Sequence, residues 1–142
     1  MGIYEYPDKY IIVTLDTLEH GGGIETDKIT VVPKDINNLE FSELILNHLE
    51  LSKSGIKNFD KNKRKKDMIK ATGLKTLKAQ MQDSKYVSIN RINEKYSISP
   101  TVNGGTSGPN RGYRYKNKAE FNSIENIYEI GILVKNGFEL SE

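Results

Sequence analysis

The sequence predicts an α+β fold in which a mainly antiparallel sheet is flanked by helices. Three observations predict it. Strand-like segments occur as neighbouring pairs separated by turn residues, segments of helical periodicity lie between and after these pairs, and no βαβ rhythm repeats along the chain. The length of 142 residues suits one hydrophobic core. We therefore expect a single domain over residues 1–142.

The first predicted hairpin lies near the N-terminus. Residues 10–15 are β-branched or aromatic, which predicts a buried strand. Residues 28–32 form a second such run, which Pro33 should stop because proline cannot donate to a ladder. A long acidic loop with three glycines at 21–23 would join the two strands.

The second predicted hairpin lies in the C-terminal half. Residues 86–90 alternate between apolar and polar, and residues 95–99 read as the return strand after a turn at 93–94. Pro100 should end that strand or place it at an edge. A glycine-rich loop over 102–112 then leads to a short strand from residue 113.

Helical periodicity marks three further segments. Residues 39–52 follow a cap at 37–38 and should end near Gly55. The basic run 57–70 should begin as a loop and lead into one or two short helices bent at Gly73.

The strongest predicted helix covers residues 123–136. Asn122 and Glu125 have the spacing of a capping box, and an apolar stripe follows them. Gly137 is expected to be the residue that ends the helix.

Composition excludes several classes of protein. There is no cysteine, which removes disulfides, thiol nucleophiles and cysteine-based zinc sites. No apolar run approaches the roughly 18 residues that would span a bilayer, and the N-terminus does not read as a signal peptide. We expect a cytoplasmic protein that does not associate with membranes.

Charge is distributed unevenly along the chain. Residues 1–50 hold ten acidic side chains against three basic ones, a net charge of −7, whereas residues 51–142 carry +9. Such asymmetry creates an oriented field that steers a charged partner. Alternatively, the two halves interleave on folding and form an ordinary solvated surface.

The sequence shows no assembled catalytic motif. His20 and His48 lack the spacing of metal ligands, no nucleophile elbow is present, and the glycines at 104–108 do not match a phosphate-binding loop. Asp16 and Glu19 offer only a fragment of a metal-dependent nuclease site, so surface carboxylates are the better interpretation. We expect no enzymatic activity, no cofactor and no metal.

Several short motifs in residues 70–140 occur in a characteristic order. They are the KTLKA segment 75–79, the strand 86–92, the YSISPT segment 96–101, the glycine pair 104–105 and the EIG segment 129–131. This order resembles the immunity proteins of contact-dependent growth inhibition systems.

The resemblance implies a cytoplasmic, non-catalytic protein that binds the C-terminal toxin domain of a cognate exoprotein, often a nuclease, and blocks it. It also implies that some complexes form through edge strands, with a toxin hairpin added to the immunity sheet. Inhibitors of nucleases are commonly acidic, and this chain departs from that expectation with a net charge of +2. The resemblance assigns no interface residue.

Two segments are candidates for partner binding. The acidic segment 16–27 would attract a basic surface, and the strand after the glycine-rich loop would offer aromatic anchors at a sheet edge. The candidate residues are Asp16, Glu19, Glu25, Asp27, Arg111, Tyr113 and Tyr115. The oligomeric state stays open.

An alternative function rests on the basic residues. Segments 57–70 and 111–118 are rich in cations, and the second interleaves them with tyrosines, as single-strand binders do. The chain could then be a small nucleic-acid-binding protein. The acidic first third opposes tight binding to a polyanion, so nucleic acid is the weaker hypothesis for the partner.

Overall fold

A computed structural model describes all residues, 1–142, and confirms the α+β fold with a mainly antiparallel sheet. Seven strands are present: β1 Gly2–Glu5, β2 Lys9–Thr17, β3 Gly23–Pro33, β4 Lys85–Ile92, β5 Lys95–Asn103, β6 Tyr113–Tyr115 and β7 Asn122–Ser123. The helices are α1 Asn38–Glu50, α2 Lys61–Thr72, α3 Leu77–Met81 and α4 Ile130–Leu140, with a 3₁₀ turn over Ile127–Glu129.

The sheet runs in the order β3-β2-β1-β4-β5-β6, and every pairing between its strands is antiparallel. β7 pairs with the start of β5, on the same side as β6. The central strand, β1, was not predicted, because four residues are too short for a period to show. Ile3 of β1 lies between Ile12 and Val87, which joins the two predicted hairpins into one sheet.

Both predicted hairpins are confirmed, and their strands are longer than expected. Pro33 ends β3 as predicted, but Pro100 does not end β5, which continues to Asn103. The Pro100 carbonyl accepts a hydrogen bond from the Lys116 N–H on the outer side of β5. The N–H that proline lacks would face that same outer side, so its loss breaks no bond to β4.

The first two predicted helices are largely confirmed. Asn37 caps α1 by accepting from the Glu40 N–H at 2.8 Å, and Gly73 ends α2 with a left-handed backbone. The expectation of a loop at the start of the basic run holds only to Asp60, whose carboxylate caps α2. Most of the basic run is therefore helical.

The last helix was placed wrongly. It begins at Ile130 and not at residue 123, and the capping side chain before it is Asn126, which accepts from the Tyr128 N–H of the 3₁₀ turn. Gly137 does not end the helix. It lies inside α4, where a Cβ would approach Ile98 Cγ2 to 3.2 Å, so the glycine permits close packing of α4 on the sheet.

Helices cover both faces of the sheet. We call the face under α1 and α4 the helix-pair face, because its core joins these two helices to the strands. Its core includes Ile3, Tyr10, Ile12, Phe41, Ile45, Val87, Ile89, Ile130, Val134 and Phe138. We call the other face, under α2, the tyrosine face. Its core is Tyr4, Tyr6, Ile11, Val13 and Met68, with Tyr86 and Tyr113 packed against it.

Candidate partner-binding surfaces

Glu25, in the acidic segment 16–27, is largely buried. Its side chain is 8% exposed. The Tyr4 hydroxyl donates to Glu25 Oε1, and two guanidinium nitrogens of Arg64 lie 2.9 Å from Oε2. Burial raises the pKa of Tyr4 well above its ordinary value, and the neighbouring Glu25 carboxylate raises it further. Glu25 therefore joins α2 to the sheet, and little of it faces a partner.

The other carboxylates of the segment also have partners within the chain. Asp27 accepts from Lys63 Nζ at 2.8 Å, Glu19 lies 3.8 Å from Lys57 Nζ, and Asp16 accepts from the Lys53 N–H at 2.8 Å. The hydrogen bond from Lys63 lowers the pKa of Asp27 below its ordinary value. Asp27 and Glu19 remain exposed, so these two can still meet a partner.

The ion pairs show how the two oppositely charged parts of the sequence are arranged. Four of the seven ion pairs join an acidic residue from 1–50 to a basic residue from 51–142. The acidic first third and the basic remainder of the chain thus interleave on folding, which was the second of the two interpretations of the charge asymmetry. On α2 the cations without a carboxylate partner are Lys61, Lys65, Lys66 and Lys70, and all four are exposed.

The strand β6 forms one edge of the sheet. In its antiparallel pairing with β5, Arg114 lies opposite Val102. On either side of this pair, the Gly104 N–H donates to Gly112 O and the Lys116 N–H donates to Pro100 O. Since successive residues of a strand point their backbone groups to opposite sides, Tyr113 and Tyr115 direct their N–H and C=O groups away from the sheet. These groups are open to another strand.

The side chains of the β6 candidates differ in exposure. Tyr113 packs against Tyr4 and Tyr86, with ring centroids 5.6 and 5.1 Å apart, and its hydroxyl lies 2.5 Å from Ser84 Oγ. Burial raises the pKa of Tyr113. Tyr115 is 62% exposed and Arg111 is also exposed. Tyr113 thus fixes β6 on the tyrosine face, and Tyr115 and Arg111 face solvent.

The loop between β5 and β6 is closed by its own backbone. Gly104 N–H donates to Gly112 O, and Gly112 N–H donates to Gly105 O, each at 2.8 Å. A Cβ at Gly104 would lie 1.6 Å from the Asn110 carbonyl oxygen, so only glycine fits there. The loop therefore has a defined path beside the open edge.

The structure also contains a groove of about 730 Å³ that the sequence did not predict. It lies between α4, the outer side of β5, and the segment 117–125 that runs from β6 to β7. Its apolar lining includes Ile98, Pro100, Ile124, Leu133 and Leu140. We call it the α4–β5 groove. It brings together residues far apart in the sequence, which is why no local pattern indicated it.

The two histidines lie apart. His48 is buried, with Nδ1 2.8 Å from the Thr14 hydroxyl and Nε2 2.8 Å from the Thr30 hydroxyl. Thr14 also donates to the His48 carbonyl, so its hydroxyl accepts from Nδ1–H. Burial lowers the pKa of His48. His20 lies in an exposed turn.

No three carboxylate or histidine side chains converge where they could hold a metal ion. No helix is both long enough and apolar enough to cross a bilayer.

No protein-family model and no curated protein matches the chain. Two solved structures share its fold over 99% of its length. One is a protein of unknown function from Neisseria meningitidis, with a TM-score of 0.78, 19% identity and 93% of that chain covered. The other is a chain of the CdiA-CT/CdiI toxin and immunity complex from Yersinia pseudotuberculosis, with a TM-score of 0.78, 14% identity and 95% of that chain covered. The chain therefore has an immunity-protein-like fold.

Proposed function

We propose that this protein is an immunity protein that binds the C-terminal toxin domain of a cognate contact-dependent growth inhibition exoprotein and blocks it. The observation that carries the proposal is the full-length likeness in fold to a chain of a toxin and immunity complex. The protein acts in the cytoplasm as one domain, without catalysis, and its target is a nuclease. The sequence order over residues 70–140 supports the same function independently.

Binding through the β6 edge is the mode that the geometry favours. The outward N–H and C=O groups of Tyr113 and Tyr115 are the groups that an added strand would pair with. Beside them Tyr115 and Arg111 are exposed, and tyrosine and arginine are the residue types that most often anchor protein interfaces. Of the acidic candidates, the exposed Asp27 and Glu19 can contact the partner at the rim of a second interface. Asp16 and Glu25 instead stabilise the fold through their contacts within the chain.

Co-expression with the toxin domain encoded beside this chain tests the function. We expect cells that make both polypeptides to survive, cells that make the toxin alone to die, and the two to be retained together in a pull-down. A toxin that stays lethal in the presence of this protein, with no complex retained, would show that the proposal is wrong.

A matched set of variants tests the binding mode. Tyr115→Pro removes one outward N–H from β6, whereas Tyr115→Ala removes only the side chain. Val31→Pro is the control, since Val31 lies at the outward-facing register of the opposite edge strand, β3. We expect Tyr115→Pro to weaken binding most and Val31→Pro to leave it unchanged. Equal binding by all three variants would exclude the β6 edge.

The four unpaired lysines of α2 favour a second candidate function, the binding of nucleic acid. Lysines contact phosphates without reading sequence, and such binding weakens steeply as salt rises. Filter retention of labelled DNA or RNA at low salt that disappears at high salt would support it. No retention at low salt would remove it.

A further inference from the structure

Three large apolar side chains are exposed on the outer surface of the pair formed by α1 and α4. Leu39 of α1 is 55% exposed, Tyr128 of the 3₁₀ turn is 53% exposed, and Ile132 of α4 is 41% exposed. None of the three belongs to the core, and none lines the α4–β5 groove. Single exposed apolar side chains are ordinary, but a group of them on adjoining elements is typical of surfaces that bind another protein.

The elements that carry these side chains are fastened to each other by buried contacts. The Ser42 hydroxyl of α1 donates to the Tyr128 carbonyl at 2.6 Å and accepts from the Gly131 N–H at 2.9 Å. A Cβ at Gly131 would lie 2.7 Å from the Asn38 carbonyl oxygen, so α1 and α4 touch through their backbones. The outer surface of the pair is therefore rigid, and a partner that binds there does not have to order it.

Carboxylates border the apolar group. Glu43 follows Leu39 by about one helical turn, and Glu139 follows Ile132 by about two turns. Residues with this spacing share one side of a helix, so each glutamate lies on the same side as the apolar residue before it. We call the surface formed by Leu39, Tyr128, Ile132, Glu43 and Glu139 the α1–α4 surface.

The helix pair as a whole is acidic on its outside. The exposed carboxylates of α1, the 3₁₀ turn and α4 that take part in no ion pair are Glu40, Glu43, Glu129 and Glu139. Lys135 is the one lysine or arginine of these elements, and its ammonium group donates to the Ile36 carbonyl and to Asn38 Oδ1. These four glutamates and one lysine carry a net charge of −3.

The opposite face of the protein carries charge of the opposite sign. There α2 covers the tyrosine face and exposes the four lysines that have no carboxylate partner. The resulting field draws a basic partner to the α1–α4 surface and repels it from α2. The same carboxylates repel nucleic acid and anionic membranes. They also oppose a symmetric contact with a second copy of this chain, because such a contact brings the same glutamates of both copies together.

We infer that the α1–α4 surface binds a folded, basic surface of the toxin domain that has an apolar centre. The centre packs on Leu39, Tyr128 and Ile132, and cationic side chains around it pair with Glu43 and Glu139. This inference rests on the proposed function, and it names the face of the immunity protein that the toxin meets. A domain that cleaves nucleic acid attracts phosphates, so it has a basic surface to offer. The contact joins side chains only and adds no strand to the sheet.

Binding kinetics with the toxin domain encoded beside this chain test the apolar part of the surface. Ile132→Asp should speed dissociation roughly tenfold, because the loss of a central apolar contact acts mainly on the off-rate. Tyr128→Ser should act in the same direction. Leu77→Asp is the matched control, since Leu77 of α3 is an apolar residue that is 63% exposed outside the helix pair. An unchanged thermal midpoint shows that each variant is folded.

Paired charge variants test the acidic border. Replacing Glu43 and Glu139 together by glutamine should lower the association rate roughly threefold at low salt, because these carboxylates steer the encounter. At high salt the difference should vanish, since counterions screen exposed charges. Glu94→Gln is the control, since Glu94 is exposed in the turn between β4 and β5 and takes part in no ion pair. Equal association rates for the native chain and the double variant at low salt would overturn the inference.

The outcomes separate this inference from the proposed function. A toxin that binds the native chain and Ile132→Asp at equal rates would leave the function standing and overturn the inference alone. A toxin that binds neither protein would overturn the proposed function together with the inference. Sedimentation of the native chain as a dimer that Ile132→Asp dissociates would assign the α1–α4 surface to a second copy, and this result would also overturn the inference.

Discussion

The two faces of the sheet are covered by different kinds of contact. On the helix-pair face, aromatic rings and branched aliphatic side chains fill the space between α1, α4 and the strands, and Phe41 stacks on Tyr10 with centroids 4.9 Å apart. On the tyrosine face, Met68 is the one buried apolar side chain that α2 contributes. The helix α2 is also attached by the partly buried Ala71, by a hydrogen bond from Lys9 Nζ to the Thr72 carbonyl, and by ion pairs of Lys63 and Arg64.

The difference shows which part of the molecule sets its stability. Burial of apolar area is the dominant favourable term in folding, and the helix-pair face holds most of it. Exposed ion pairs add little and are screened by salt. We therefore expect the helix-pair face to determine global unfolding and α2 to be the element that opens most easily.

The largest expected effect is at the helix-pair face. Phe138 is 1% exposed, and Phe138→Ala leaves a cavity between α4 and the sheet. We expect a loss of about 3–5 kcal/mol in the free energy of unfolding, measured by urea denaturation. Ile132→Ala, on the exposed side of the same helix, should cost far less. A loss below about 1 kcal/mol at Phe138 would contradict the comparison between the faces.

A smaller effect is expected at the junction of α2 with the sheet. Arg64→Ala leaves the buried Glu25 carboxylate without its cation. Because Arg64 is itself partly exposed and water can take its place, we expect a loss of about 1–2 kcal/mol. Hydrogen exchange should rise in α2 before it rises in α4. A uniform rise over both helices would show that the two faces open together.

The buried His48 on the helix-pair face makes the free energy of unfolding depend on pH. Burial lowers the pKa of His48, so the unfolded chain binds a proton more readily than the folded chain does. The contribution of neutral His48 to the free energy of unfolding is fully present above the ordinary histidine pKa of about 6.5 and is lost as the pH falls below it. Urea denaturation at pH 7.5 and pH 5.5 should show this loss, and His48→Gln should reduce it. An unchanged pH dependence in the variant would exclude His48 as its source.

The smallest effect is expected at the exposed end of α2. Lys63 pairs with Asp27 and Asp67, and all three groups are in contact with water. Lys63→Ala should leave the thermal midpoint unchanged at physiological salt, because solvent and counterions screen such pairs. A clear fall in the midpoint would mean that ion pairs hold α2 more firmly than its exposure indicates.

Local patterns were enough to predict much of the fold. The alternation in β4 and β5 and the cap of α1 at Asn37 are properties of neighbouring residues, and they were read correctly. β1 and the position of Gly137 were missed for another reason. Both depend on contacts with distant strands, which outweigh local propensity when they bury apolar area.

Of the candidate binding surfaces, one follows from neighbouring residues and the other depends on residues that are distant in the sequence. The open edge at β6 follows from a turn-rich loop before an aromatic strand, so the sequence pointed to Tyr113 and Tyr115. The α4–β5 groove requires Ile98, Glu120 and Leu133 to meet, and only the folded chain brings them together. The burial of Glu25 behind Arg64 was equally invisible, because charge alone does not show which carboxylates are enclosed.

In the closed loop before β6, the residues that fix the backbone path are different from those that expose their side chains. Its path is set by main-chain bonds and by the lack of space at Gly104, while Thr106, Ser107 and Asn110 project into solvent and support none of that frame. Substitutions at these three positions change the side chains that the loop exposes to solvent and leave its backbone path unchanged. If the partner binds at the β6 edge, as proposed, substitutions at these positions can change the specificity of binding without lowering the stability of the fold.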